Sequence, residues 1–189
     1  MVAFGPHDGA MDWVPLLSAI AGAAIALSGS LLAEVRRDRG QRRRDRDQEE
    51  WQTCVDFGLA LDSAHSALRD VAASGDAAAA NRSAANSAVH DAGVFAIRER
   101  MLMSAGTDLA TAGERAFLRV VQVRNVVREG ATLQSAEYHG AYHAFAEALW
   151  SYRVAVRTAF GRSPLTPAVV DRASWSEVES CDRCSLATS

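Results

Sequence analysis

Lysine is absent. All twenty basic residues are arginine, and 23 acidic residues nearly balance them, for a formal net charge of −3. A chain so balanced is not a polycation that coats nucleic acid by charge alone. Cysteine is scarce, with three in 189 residues, too few for the disulfide framework of a small secreted domain. The three fit a reducing compartment. Proline (4), glycine (13) and aromatics (7%) are sparse as well. No run alternates with a period of two, so strands are not expected. The Ala, Leu, Glu and Arg present in their place favour helix, and the fold class is all-α. The phosphate loop G-x-x-x-x-G-K-[ST], the dinucleotide turn G-x-G-x-x-G and the nucleophile elbow G-x-S-x-G are all missing. No acid–base pair is identifiable, so no catalytic residue is assigned and a non-enzymatic protein is expected.

Charge is missing altogether from Trp13 to Ala33. At ~1.5 Å per residue, about 20 helical residues cross a ~30 Å hydrocarbon core. The run is therefore long enough for a transmembrane helix, although Ala, Gly and Ser dilute its Leu and Ile. A cleaved signal peptide would carry positive charge ahead of the apolar region; here Asp8 and Asp12 precede it. The arginines lie behind it instead, at Arg36, Arg37, Arg39, Arg42, Arg43, Arg44 and Arg46. The positive-inside bias then puts residues 1–12 outside and the rest of the chain in the cytoplasm of a bacterial cell. Trp13 suits the outer interface, and Pro15 is tolerable near a helix start. Met11 is the expected true start, since residues 1–10 add no pattern. A buried core helix is the competing reading of the run. Within it, Ser18, Gly22, Ala26 and Ser30 recur every fourth residue and form a small-residue face of the kind that lets two spans associate.

Residues 34–46 are the expected juxtamembrane stalk, continuous with the span. Their arginines fix topology and can attract anionic membrane lipid. A nucleic-acid arm is disfavoured, because Asp38, Asp45, Asp47, Glu49 and Glu50 interleave with them. Asp38–Arg42, Arg43–Asp47 and Arg46–Glu50 are spaced four apart, as on a solvated helix.

Residues 47–161 are expected to form an up-down bundle of four helices, at about 47–73, 80–104, 108–129 and 136–160. Apolar stripes run through Trp51, Val55, Leu59, Leu61, Leu68 and Val71; Val89, Val94, Ile97, Leu102 and Met103; Leu109, Phe117, Val120, Val121 and Val127; and Tyr138, Tyr142, Phe145, Leu149, Tyr152 and Val156. Gly130 and Gly161 are helix stops and Ser135 a cap. Cys54 is a small core residue, while Arg98, Glu99, Arg100, Glu114 and Arg115 form solvated faces. Residues 162–189 are a partly ordered tail, with Trp175 its docking residue.

Two fragments of metal chemistry are present. His139 and His143 stand four apart, so one helix can present both to a metal such as zinc, with His65 or His90 from other helices as further ligands. Glu147 continues the spacing but sits too far around the helix. The plainer reading is of interfacial histidines bonded to bundle neighbours. Cys181 and Cys184 form a lone C-x-x-C. A structural zinc needs four ligands, so the pair is half a site to be completed by a second chain, or simply two tail cysteines.

The Trp-led small-residue span, the Arg/Asp stalk, "RERMLMSAG", "YHAFAEALWSYRVAVR" and the terminal "CDRC" together resemble small actinobacterial single-pass membrane proteins of unknown function, labelled CchlQ-like. The resemblance implies an anchored helical protein and carries no catalytic residue across. The expected role is a protein-interaction or scaffolding module that meets an unidentified protein or a second copy of itself. A metal-binding sensor or enzyme, and membrane-proximal nucleic-acid work such as plasmid spread, are the alternatives.

Overall fold

A computed structural model describes residues 13–74, 78–178 and 181–185, with the backbone alone described at 13–16, 20–33, 78–79 and 185. Every regular element among them is helical. Helix α1 runs Trp13–Ser74, followed by α2 (Ala78–Asp91), α3 (Val94–Ser104), α4 (Thr107–Arg128) and α5 (Ala136–Ala159). A 3-10 turn at Pro167–Val170 and the short α6 (Asp182–Ser185) complete the chain. Two units are distinguished, Met1–Arg46 and Asp47–Ser189.

In the first unit α1 passes through the arginine block without a break. Residues 34–49 are exposed, and the Asp38–Arg42 pair is formed at 2.8 Å. Gln41 adds a hydrogen bond to Asp45 one turn on. Among the described residues no helix is long and apolar enough to cross a membrane. The side chains of 20–33 lie outside them, and with these the Gly22, Ala26 and Ser30 face; Ser18 is exposed.

The second unit is a helical bundle. One face of α1 buries Cys54, Phe57, Leu61, Ala64 and Leu68 against α4 and α5 residues that include Val120, Val123, Phe145 and Tyr152. The stripe is shifted from the expected one. Leu59 is 63% exposed, and the small residues Ala60 and Ala64 take its place inside. Periodicity alone favours the large apolar residue; close helix approach favours alanine. On α3 likewise, Met101 is buried whereas Met103 is 84% exposed.

The expected second helix is two helices. Gly93 adopts φ 67°, in the left-handed region open to glycine, and the chain turns there from α2 into α3. The short α3 is then tied to α4 by a pair expected to be solvent-exposed. Arg98 donates to both carboxylate oxygens of Glu114, at 2.7 and 2.8 Å, and its guanidinium lies 4.6 Å from the Phe117 ring centroid. Such a forked, partly buried pair is stronger than an ordinary surface ion pair.

Gly113 lies where α4 packs tightly against Met101 and Phe57. A Cβ there would meet Met101 Cε at 2.5 Å and Phe57 Cε1 at 3.3 Å. The methionine end can move, but the Phe57 ring is fully buried. Gly113→Val is therefore expected to cost ~1–3 kcal/mol by overpacking, read as a lower urea midpoint. An unchanged midpoint would show that this contact yields freely.

Candidate metal centre

Helix α4 ends in a Schellman turn: Gly130 N–H bonds the Val127 carbonyl at 3.0 Å, Ala131 N–H bonds that of Val126 at 3.0 Å, and Gly130 takes φ 98°. The chain then reverses, and Ser135 caps α5 by accepting from the Tyr138 N–H at 3.2 Å. This turn leaves the Leu133 carbonyl over the first turn of α5, where His139 Nε2 donates to it at 2.9 Å. A carbonyl only accepts, so a proton sits on Nε2, and in the neutral ring Nδ1 carries the lone pair. That Nδ1 lies 3.3 Å from Cys181 Sγ.

His143 is held in the opposite tautomer. Its Nδ1–H donates to the Ser176 carbonyl at 2.6 Å, which leaves a lone pair on Nε2. The residue is only 5% exposed, and Nε2 is buried without a hydrogen-bond partner of good geometry. A buried polar atom of this kind calls for an explanation.

The tail comes back across α5 by a route that regular periodicity does not encode. A second Schellman turn at Gly161 ends α5. Trp175 stacks on Trp150 with centroids 4.6 Å apart and planes at 15°. Arg153 and Arg172 flank the Trp150 ring. Glu177, at φ 58°, accepts from Tyr142 at 3.0 Å and pairs with Arg172. A non-glycine residue in this region persists only where its contacts hold it. Arg183 then donates to the Gln134 carbonyl at 2.9 Å, which docks α6 beside the start of α5.

The result is one cluster. His139, His143, Cys181 and Cys184 each offer a ligand atom, and all four atoms lie within 4.8 Å of one another. A zinc tetrahedron with Zn–S ~2.3 Å and Zn–N ~2.0 Å has edges of roughly 3.3–3.8 Å. The set is thus close to that size, and side-chain rotation closes the rest. Each imidazole already has its far nitrogen fixed by a carbonyl, the supporting bond that metal-ligating histidines use. The Cys181 thiol is held down to about 6, chiefly by the Cys184 backbone N–H. Cys184 is pushed up by burial and by its neighbour Cys181. A site with one thiol readily ionised and two imidazoles turned toward it is chemically suited to a divalent metal, so the cluster could hold one.

Both half-sites foreseen from the sequence are therefore parts of a single set within one chain, and a second chain is not required to complete it. His65 and His90 do not join it. His65 stacks on Tyr142 and packs against Phe145, and burial pushes its pKa down. His90 is exposed on α2. Glu147, also exposed, stays outside. The arginines at 36, 37, 39, 42, 43, 44 and 46 all lie along the exposed α1 segment. The contributions missed were the Leu133 and Ser176 carbonyls, which no side-chain motif announces. Comparison of the chain with protein-family models, curated proteins and solved structures finds no match.

Proposed function

We propose that the chain is a membrane-anchored, non-enzymatic interaction module whose C-terminal tail is clamped to α5 by a zinc ion on His139, His143, Cys181 and Cys184. The observation that carries the metal reading is the convergence of four ligand atoms within 4.8 Å, two from α5 and two from the tail. Two thiolates and two imidazoles suit zinc, and four protein ligands fill its tetrahedron. A filled tetrahedron has no open position for a water or substrate, so the centre is structural or regulatory rather than catalytic.

The anchor rests on the uncharged run Trp13–Ala33 and the seven arginines behind it. The likeness to single-pass actinobacterial proteins supports the same placement, with the bundle in the cytoplasm, its stalk near anionic lipid, and a protein partner or second copy as its target.

The test uses the full chain purified in detergent. One zinc per chain is expected by elemental analysis; a chain that neither retains zinc nor takes it up would overturn the centre. In its host the protein is expected to stay with the membrane through an alkaline wash, and release into the wash would remove the anchor. A monomer that captures nothing from its own membranes would remove the interaction role.

A further inference from the structure

We propose that the centre is a redox-gated clasp: hydrogen peroxide converts Cys181 and Cys184 to an intrachain disulfide, which expels the metal and frees the tail from α5. The inference rests on the zinc reading above and adds its regulation.

Three observations carry it. First, the two sulfurs belong to residues three apart across one turn, with Cys184 N–H bonded to the Cys181 carbonyl at 3.0 Å, and they lie within 4.8 Å of each other. A disulfide needs Cα atoms ~4.4–6.8 Å apart and sulfurs at ~2.05 Å, a spacing such a turn reaches by rotation about χ1. Second, both cysteines are partly exposed, whereas Cys54 is 1% exposed and held in the core. A peroxide therefore meets the ligand pair and not the third thiol.

Third, the tail has no core of its own. From Gly161 to Val178 and from Cys181 to Cys184, no described residue is buried. What holds it besides the centre is the Trp150–Trp175 stack and a few polar contacts, among them Tyr142–Glu177 and Arg183 to Gln134. The left-handed Glu177 adds strain that release would relieve. Two imidazoles left alone cannot keep zinc in a four-ligand site. Loss of the thiolates thus removes the strongest tie, and Tyr142, His143 and Trp150 on α5 become accessible.

The chemistry balances. One thiolate attacks a peroxide oxygen; its S–O bond forms as the O–O bond breaks, and the departing oxygen takes a proton to leave as water. The second thiolate attacks that sulfenic sulfur; the S–S bond forms, the S–O bond breaks, and the hydroxide leaves as a second water after protonation. Two electrons pass from the sulfurs to the peroxide, and the zinc ion departs with its charge.

The experiment treats zinc-loaded full-length protein with hydrogen peroxide beside a zinc-chelating dye. Expected are one zinc released, two thiols lost, an intact mass lower by two hydrogens, and Cys54 still alkylatable after unfolding. Trypsin cleavage after Arg172 is expected to quicken roughly tenfold or more, since proteolysis follows the open population. A dithiol with added zinc should restore protection. Cys54→Ala should respond as wild type does, while Cys184→Ser should form no disulfide. Retention of zinc and both thiols under peroxide would overturn the gate yet leave the metal site standing. Oxidation with the tail still protected would overturn the release step. Failure to bind zinc at all would remove the metal reading and the gate with it.

Discussion

Chelation of the metal is expected to lower the urea midpoint of the full chain and to free the C-terminal segment, while α1–α5 keep their helicity. A ligand that binds only the folded state adds RT ln(1 + [L]/Kd), or ~4 kcal/mol at a thousand times Kd. The bundle helices share a core that does not include the cluster's sulfurs, so the loss should be partial rather than complete. His139→Ala, His143→Ala, Cys181→Ser and Cys184→Ser each delete one of four ligands. Deletion should weaken zinc by more than the roughly 10–100-fold typical of losing a supporting hydrogen bond. His143 is buried, so its alanine variant also leaves a void. The informative quantity is therefore the midpoint difference with and without zinc. It should be large in wild type and close to zero in all four variants. Equal metal-dependent increments in wild type and variants would sink the clasp.

Protons should compete with zinc in a defined direction. Metal binding requires thiolates and neutral imidazoles, so it releases protons and weakens on the acid side. The Cys181 thiol is depressed to about 6 from an ordinary 9.0. A depressed thiol contributes stability that is present above its unfolded value and lost as pH falls through the folded one. The Cys184 thiol is raised above its ordinary 9.0, so its proton must leave for zinc to bind. The zinc-dependent increment should decline as pH falls from the alkaline side, and more steeply below about 6, where Cys181 also protonates.

How much of this was legible in the sequence follows from what each residue responds to. Helix stops at Gly130 and Gly161 and the Ser135 cap were legible because backbone geometry there needs those residue types. Gly93 was not, because one glycine in an apolar-periodic run is also compatible with a continuous helix. Leu59 and Met103 were misplaced for a related reason. Hydrophobicity ranks them as core, but Ala60, Ala64 and Met101 hold the buried positions instead. The four ligands were each legible as chemistry, at i, i+4 and at C-x-x-C. Their meeting was not. It depends on a tail that turns back through Asp171 and Glu177, both at positive φ, and on the Trp150–Trp175 stack. None of these has a period, and the stack pairs residues far apart in sequence.

Tyr152→Ala is expected to be among the most damaging substitutions in the bundle, and comparison with Tyr152→Phe separates its two contributions. The side chain is 1% exposed, meets the Phe57 ring edge-on with centroids 5.5 Å apart, and donates its hydroxyl to the Cys54 carbonyl at 2.8 Å. Burial raises its phenol pKa far above the ordinary value, so it stays a neutral donor throughout the physiological range. Truncating a buried aromatic to alanine costs ~3–5 kcal/mol. At roughly 2–4 °C per kcal/mol for a domain of this size, the thermal midpoint should fall by on the order of 10 °C. Tyr152→Phe keeps the ring and loses one hydrogen bond, for ~1 kcal/mol. The Cys54 carbonyl lies inside α1 and keeps the helix bond available to it, so no acceptor is stranded. If packing dominates, the phenylalanine variant should recover most of the stability. Equal losses in the two variants would mean that the hydroxyl, not the ring, fastens α5 to α1. In neither case should zinc content change, because Tyr152 sits more than two turns beyond His143 on α5 and touches no ligand. Loss of zinc in Tyr152→Phe would show that core and clasp are coupled through α5.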